Sequence, residues 1–436
     1  MTAPSSDDRP AGLQPVLGLL QVTASGIGII IGAGIYVLLG PATARAGGTV
    51  WIAFLLAAAL CGLTGLSYAE LSSMFPKAGA EYEYTSQVAP EPVAFVVGWT
   101  MIIGLVIAAA TIALGFARYL RAFVDIPERV GAWGLLALVT LVSLAGIRRA
   151  SWLVLVLGAV QVGGLVTVIV VGFGHLGRAD ILSGNGVSGV VGAAALVFFA
   201  FIGFDEVITL SEETRDPTRT VPRALLLALG GSAVLYALVS IAAVSVLSAP
   251  GVSRSPRPLA DVMTHVAGSS GVRAMAVVAL LTTTNTTLLA VTAASRLTFG
   301  MAERGSIPAS LARVNRRFAP WVATVAVVAA SAAFVAVGDL TVIAGATDVA
   351  VYVVFLAVNA VVIILRIRRP DAERPFRIAG SIGRIPGTPG GATGATLAMI
   401  PQLDLTSLGL GAALVAIGTL LALTGRGRAR REPREH

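Results

Sequence analysis

Histidine and cysteine are nearly missing from this chain: His175, His265, His436 and Cys61 are all that 436 residues contain. A lone cysteine excludes a disulfide framework, and three scattered histidines in polar flanks or the tail leave little for metal or Cys/His chemistry. Lysine is rarer still, with Lys77 the single example. Charged residues make up only 12% of the chain, too few to clothe a soluble globular domain of this length. No cofactor is expected from this supply of side chains.

What is present is oil. Hydrophobic residues account for 56% and mean hydropathy is +0.86, which places the chain among integral membrane proteins. The formal charge of +8 could point to nucleic acid. The basic residues, however, fall in short clusters between apolar runs, as positive-inside topology places them, so no nucleic-acid partner is expected. Residues 1–15 carry Asp7, Asp8 and a single Arg9 and offer no basic leader. The apolar run before "ATA" at 42–44 is longer than a signal-peptide core, so the N-terminal segment reads as part of the mature protein.

A spanning helix needs roughly 20 apolar residues. That ruler gives runs near 16–40, 50–69, 93–117, 131–147, 151–173, 189–211, 223–248, 273–300, 320–337, 341–365 and 406–424. Between Arg384 and Asp404, "IPGTPGGATGATLAMIPQL" is long enough to cross but rich in Gly, Pro and Thr, and it counts as a weak twelfth. With twelve spans and the N terminus in the cytoplasm, 23 of the 31 Lys and Arg residues fall on the cytoplasmic side. The bias supports both termini there, in a multi-pass protein of the plasma membrane. No long linker appears, so one helical bundle in the lipid bilayer is predicted.

The first span contains "SGIGIIIGAGIY", Ser25 to Tyr36, four of whose twelve residues are glycine. One reading is close helix packing through Gly28 and Gly32. The other is a discontinuous helix whose freed backbone groups form a binding site near mid-membrane, tolerated only where it lines a cavity. Broken helices come in pairs at matching places of two repeats. The sixth run, "VFFAFIGFDEVITLSEE", places Gly203 after an aromatic cluster and Asp205 and Glu206 inside the span. Two adjacent carboxylates at membrane depth are costly unless they face water, a cation or a cavity.

"GIGIIIGAGIYVLLGP" and "FFAFIGFDEVITLSEETRDPTRTVPRAL" resemble the first and sixth helices of the amino acid–polyamine–organocation permeases. "SRLTFGMAERGSIP" resembles the segment after their eighth helix. The resemblance covers nearly the whole chain and implies an all-α membrane protein of twelve helices. It implies inverted five-helix repeats of the LeuT-like type over 16–175 and 186–366, a further helix pair over 384–424, a cytoplasmic segment 1–15 and a basic tail 425–436. Helices one and six would be unwound. An amino acid's carboxylate would meet backbone N–H groups around Gly32, Ala33 and Gly34. Its ammonium would meet carbonyls of Ile29, Phe199, Ala200 and Ile202 beside Gly203. Phe201 and Phe204 either cover the substrate or merely pack.

Two departures from the family's pattern bear on function. Relatives that take cationic amino acids often carry a carboxylate a few residues after a Gly-Trp pair in the third helix. Here Gly98-Trp99 is followed at the matching place by Gly104, which favours a neutral substrate. Proton-driven relatives have a lysine in the fifth helix where Gln161 stands, and glutamine does not titrate. Two replacements offer themselves. Hydroxyls of Thr282, Thr283, Thr284 and Thr286 could hold sodium, unless they bond back to their own helix. Asp205 or Glu206 could instead carry a proton. The expected activity is secondary active transport of amino acids by alternating access, with a proton as the favoured coupling ion. Sodium coupling, exchange and a non-transporting sensor stay open. An intramembrane enzyme lacks its nucleophile and base, and a channel lacks its filter. Glu70, Glu81 and Glu83 read as gate or surface groups. Glu212, Glu213, Arg215, Asp216 and Arg219 read as a solvated network.

Overall fold

The computed structural model describes residues 17–75, 80–144, 150–315, 320–337, 339–382 and 385–429. Lys77, the whole of the segment 1–15 and the end of the basic tail lie outside them. The helices in chain order are α1 (Leu19–Ile30), α2 (Gly34–Ala46), α3 (Val50–Met74), α4 (Ala80–Ser86), α5 (Glu91–Leu120), α6 (Glu128–Leu144) and α7 (Ala150–Phe173). They continue as α8 (Gly186–Val197), α9 (Pro217–Arg254), α10 (Pro258–Glu303), α11 (Trp321–Val337), α12 (Leu340–Arg368), α13 (Gly387–Met399) and α14 (Leu405–Ala429). Apart from a two-residue antiparallel ladder, Ser381–Ile382 with Ile385–Pro386, the regular secondary structure of the described residues is helical. Eight of its helical segments are long and apolar enough to cross a membrane, and α1 with α2, bent by 53° at their junction, make a ninth.

Local chemistry sets the ends. Asp339 caps α12 by accepting the N–H groups of Thr341 and Val342 at 2.9 and 3.1 Å, satisfying donors that have no partner inside the helix. The kink at Ser248 in α9 and that at Gly268 in α10 fall where the seventh apolar run ends and the eighth is about to begin. The polar stretch between them is helical rather than a plain loop, which hydropathy alone does not reveal. The weak twelfth run folds as α13, thirteen residues extended by a single 3-10 turn over Ile400–Gln402. At 1.5 Å per residue that is roughly 24 Å, short of a ~30 Å hydrocarbon core. Residues 425–429, expected in the tail, continue α14.

Two segments are interrupted. The first breaks between α1 and α2. The sixth runs from α8 through a 3-10 stretch, Phe198–Phe201, and a second one, Phe204–Glu213. They lie antiparallel and are tied at both ends. At one end Leu17 pairs with Thr214, and Arg215 N–H donates to Leu17 C=O at 2.9 Å. At the other Gly47 pairs with Gly184, Gly48 N–H donates to Ser183 C=O at 2.8 Å, and Asn185 Nδ2 donates to Arg45 C=O, also at 2.8 Å. Around them, α3 packs along α9, α5 along α10 and α12, and α7 against α9 and α10. The breaks are thereby held in the middle of the bundle.

Candidate functional site

The first break takes three residues. Ile31 N–H still donates to Ile27 C=O at 2.8 Å, and Gly32 N–H turns back to Ile30 C=O at 2.7 Å. The first bond of the new helix runs from Val37 N–H to Ala33 C=O. The amides of Ala33 and Gly34 therefore stand at the opening turn of α2, where a helix has no acceptors of its own and presents its positive dipole end. In the second break Ile202 is extended and Gly203 takes φ +106°, a conformation open to glycine and costly for other residues. Gly203 N–H donates to Asp205 Oδ1 at 3.2 Å.

The breaks meet. A Cβ on Gly34 would lie 2.4 Å from Ala200 Cα, and one on Gly32 would lie 2.9 Å from the Thr286 methyl. Backbone touches backbone here because the first residue of α2 has no side chain. Ile29, Gly32, Ala33, Gly34, Phe199, Ala200, Ile202, Gly203, Glu206 and Thr286 from the expected set all line one cavity of about 50 Å³. A single water needs roughly 10–15 Å³. Leu105, Ala108 and Ile112 of α5 and Leu289 and Ala290 of α10 supply an apolar wall.

Other expected residues stand elsewhere. Gly104 faces α12: its Cβ would meet that of Ala350 at 3.4 Å. The face of α5 toward the cavity begins one residue later, and it too carries no carboxylate. Phe201 is fully buried against Tyr236 and Phe204 against Tyr68 and Phe355, and neither lines the cavity, so both serve packing. Thr283, Thr284 and Thr286 donate to Ala279, Leu280 and Thr282 carbonyls one turn back, as threonines in a helix do. Thr282 Oγ1, both amide atoms of Gln161 and Asn285 Oδ1 are buried without a hydrogen-bond partner among the described residues. The carbonyls of Phe199 and Ala200 are already engaged, by Ile202 N–H at 3.2 Å and by the Tyr236 hydroxyl at 3.0 Å.

Tyr236 is the residue that sequence reasoning missed. Its single hydroxyl proton is shared between Ala200 C=O and, at 2.9 Å, Ile30 C=O, so one side chain of α9 bridges both breaks. The signal was a lone tyrosine in the apolar run "SAVLYALVS". Tyr236→Phe leaves two buried carbonyls without this donor, each worth about 1–3 kcal/mol. The expected result is a lower unfolding temperature together with uptake reduced about tenfold, measured side by side.

The model of the amino acid permease family matches residues 17–423. That match covers the bundle from the first span to the last. The chain belongs to the amino acid permease family. The permease is 32% identical to an uncharacterized transporter of Mycobacterium tuberculosis, over 94% of its own length and 91% of that protein's. It is 30% identical to the branched-chain amino acid permease BcaP of Bacillus subtilis over 86% of each chain. It is also 30% identical to the vacuolar cationic amino acid transporter 4 of Arabidopsis thaliana, over 84% of its length and 65% of that protein's. These relatives are transporters and permeases, not enzymes, and the permease is a multi-pass membrane protein.

Beside the cavity the permease collects acids. Asp205, buried after Gly203, lies against Glu81 of α4, and the Tyr68 hydroxyl donates to Glu81 Oε1 at 3.0 Å. Tyr84 on the same short helix, Glu206 on the broken span and, beyond it, Arg296 of α10 complete the charged surroundings. Glu83 beside them is paired with Arg304 at 3.0 Å. Burial, reinforced by Asp205, pushes Glu81 up to about 7. A carboxyl raised on folding contributes its stability in full below its unfolded value of about 4.3 and loses it as pH climbs through the folded one. Thermal stability of the permease is expected to fall from pH 5 to pH 8, and Glu81→Gln to flatten that slope. An unchanged slope in the variant would place the titration elsewhere.

Proposed function

We propose that the permease is a secondary transporter of neutral amino acids that works by alternating access and couples to protons. The carrying observation is the cavity at the meeting of the two breaks, where a helix N-terminus, extended backbone and an apolar wall converge. In this reading the substrate carboxylate takes the amides of Ala33 and Gly34. Its ammonium takes free lone pairs at Ile29 and Ile202, and its side chain lies against Leu105, Ala108 and Ile112. The α5 wall offers no carboxylate to a cationic side chain, Glu206 across the cavity is assigned to the proton in this reading, and the branched-chain permease name of the B. subtilis relative agrees with an apolar substrate. The opposite directions of the two broken segments, tied at both ends, support two inverted repeats, over 16–175 and 186–366, followed by a pair over 384–424. Together they make twelve spans in the plasma membrane, with both termini cytoplasmic.

Proton coupling is favoured because Glu206 lines the cavity and Asp205 lies against Glu81, while three of the four threonine hydroxyls are spent on their own helix. Sodium is the second reading, favoured by the unpartnered oxygens of Gln161, Thr282 and Asn285. Uptake of labelled amino acids into proteoliposomes separates them. Accumulation of a neutral amino acid under an inward proton gradient supports the first reading, and accumulation under a sodium gradient alone supports the second. Uptake only into vesicles preloaded with amino acid makes the permease an exchanger. Ligand-induced stabilisation with no movement makes it a sensor, and preference for arginine or lysine overturns the neutral assignment.

A further inference from the structure

The middle of α12 contains an acid with no evident structural reason to be there. Asp348 is 0% exposed, and neither carboxyl oxygen has a hydrogen-bond partner among the described residues. The hydroxyl of Thr347 is directed to Ile343 C=O and that of Tyr352, one turn on, to Ala195 C=O. The groups that act on Asp348 are few: Arg45 at the end of α2, Cys61 on α3 and Tyr352 on its own helix. Arg45 forms no ion pair with it and donates instead to Gly192 C=O at 2.9 Å.

A bare carboxylate in that setting is too costly to persist, since isolated buried charges neutralise rather than remain. A leucine or valine would pack there at no such cost. Ionisable residues within a span that make no structural bond mark pathways and relays. The position fits a relay, because Tyr352 ties the Asp348 face of α12 to the last turn of α8 and meets Phe198 edge to face, ring centroids 4.7 Å apart, where the sixth segment begins to unwind. Movement of that segment changes what surrounds Asp348.

We propose that Asp348 is a proton-carrying site of the permease, neutral in the conformation described and ionised when α8 moves away from α12. The step is a simple one: the O–H bond of the carboxyl breaks, the proton passes to water admitted between the two helices, and the carboxylate is left hydrated. This inference rests on the proton-coupled reading of the permease and adds a site to it.

Asp348→Asn tests it, because a neutral amide replaces a neutral acid of the same shape. Infrared difference spectra between wild type and D348N at neutral pH should contain the carbonyl band of an unbonded protonated carboxylic acid, present only in wild type. In proteoliposomes D348N should keep exchange of amino acid for amino acid within about threefold of wild type, yet lose accumulation driven by a proton gradient by about tenfold or more. Its unfolding temperature should stay near that of wild type. Absence of the band, wild-type accumulation by D348N, or unfolding of D348N through loss of a needed charge would each overturn the proposal. Failure of the wild type itself to accumulate substrate on a proton gradient would take down the coupling reading and this site with it.

Discussion

Gly34→Ala is expected to reduce amino acid uptake by about a hundredfold. The added methyl carbon would stand 2.4 Å from Ala200 Cα and 2.5 Å from its Cβ. Neither obstacle is the end of a flexible side chain, so the backbones of the two breaks must part. Overfilling a packed interior costs about 1–3 kcal/mol, which the bundle can absorb. The function cannot, because a shift of about 1 Å in a site that positions its ligand by fixed groups is enough for a loss near a hundredfold. The measurement is a ligand-binding isotherm alongside a melting curve. The expected pattern is a folded protein with binding abolished. Unimpaired binding in a folded G34A variant would show that the contact between the breaks does not shape the site. Gly28 is a control: its Cβ would approach nothing closer than Gly158 Cα at 3.9 Å, and Gly28→Ala should transport normally.

The largest effect on stability is expected at Glu70. Its carboxylate accepts Arg366 Nε at 2.7 Å and the Arg366 Nη2, stands 3.2 Å from Arg374 Nε, and accepts the backbone N–H of Ile378 at 2.9 Å. All three side chains are buried. Arg374 also donates to the carbonyl of Leu365 in the last turn of α12 and to those of Arg369, Pro370 and Ala372 just beyond it. One acid thus holds together α3, the end of α12 and the segment leading to the small ladder. Removing one member of a buried ion pair costs about 3–5 kcal/mol because the remaining charges are left uncompensated. Glu70→Ala should lower the unfolding temperature strongly and reduce the yield of monodisperse protein. Glu70→Ala combined with Arg366→Leu should be less damaging than the sum of the two. A neutral effect of E70A would mean that the cluster is solvated in the membrane-embedded protein.

The fold was legible where hydrophobicity alone decides it. Over their described residues the eleven apolar runs fold as helical segments, nine of them long and apolar enough to cross a membrane once α1 and α2 are joined, and the unusual glycine content of Ser25–Tyr36 and the Phe-Gly-Asp pattern after Val197 marked the two breaks. Backbone sites can be read in this way because they depend on where a helix fails, which glycine and extended residues encode locally. The facing of an intact helix is set by packing with distant partners. Gly104 was therefore placed toward substrate when it faces Ala350, and Leu105 supplies the wall instead. Single residues inside ordinary spans left no motif: Tyr236 and Asp348 stand out only once their hydroxyl bonds and missing bonds are in view. By sequence Glu81 reads as a gate or surface group, because α4 is too short to register as apolar or buried. The Gly/Pro/Thr-rich run before Asp404 remained ambiguous for a physical reason, since it forms a helix shorter than the hydrocarbon core.

In the proposed site, backbone amides of the first break and carbonyls of the two breaks recognise the zwitterionic end of an amino acid. The most direct measurement is calorimetric binding of a neutral, branched amino acid, its methyl ester and its deaminated acid to the purified permease. Binding of the amino acid alone, with both derivatives weakened by about a hundredfold, equivalent to roughly 2.7 kcal/mol, is the predicted result. Equal binding of the methyl ester would contradict it, because an ester carries no charge for the N-terminus of α2 to hold.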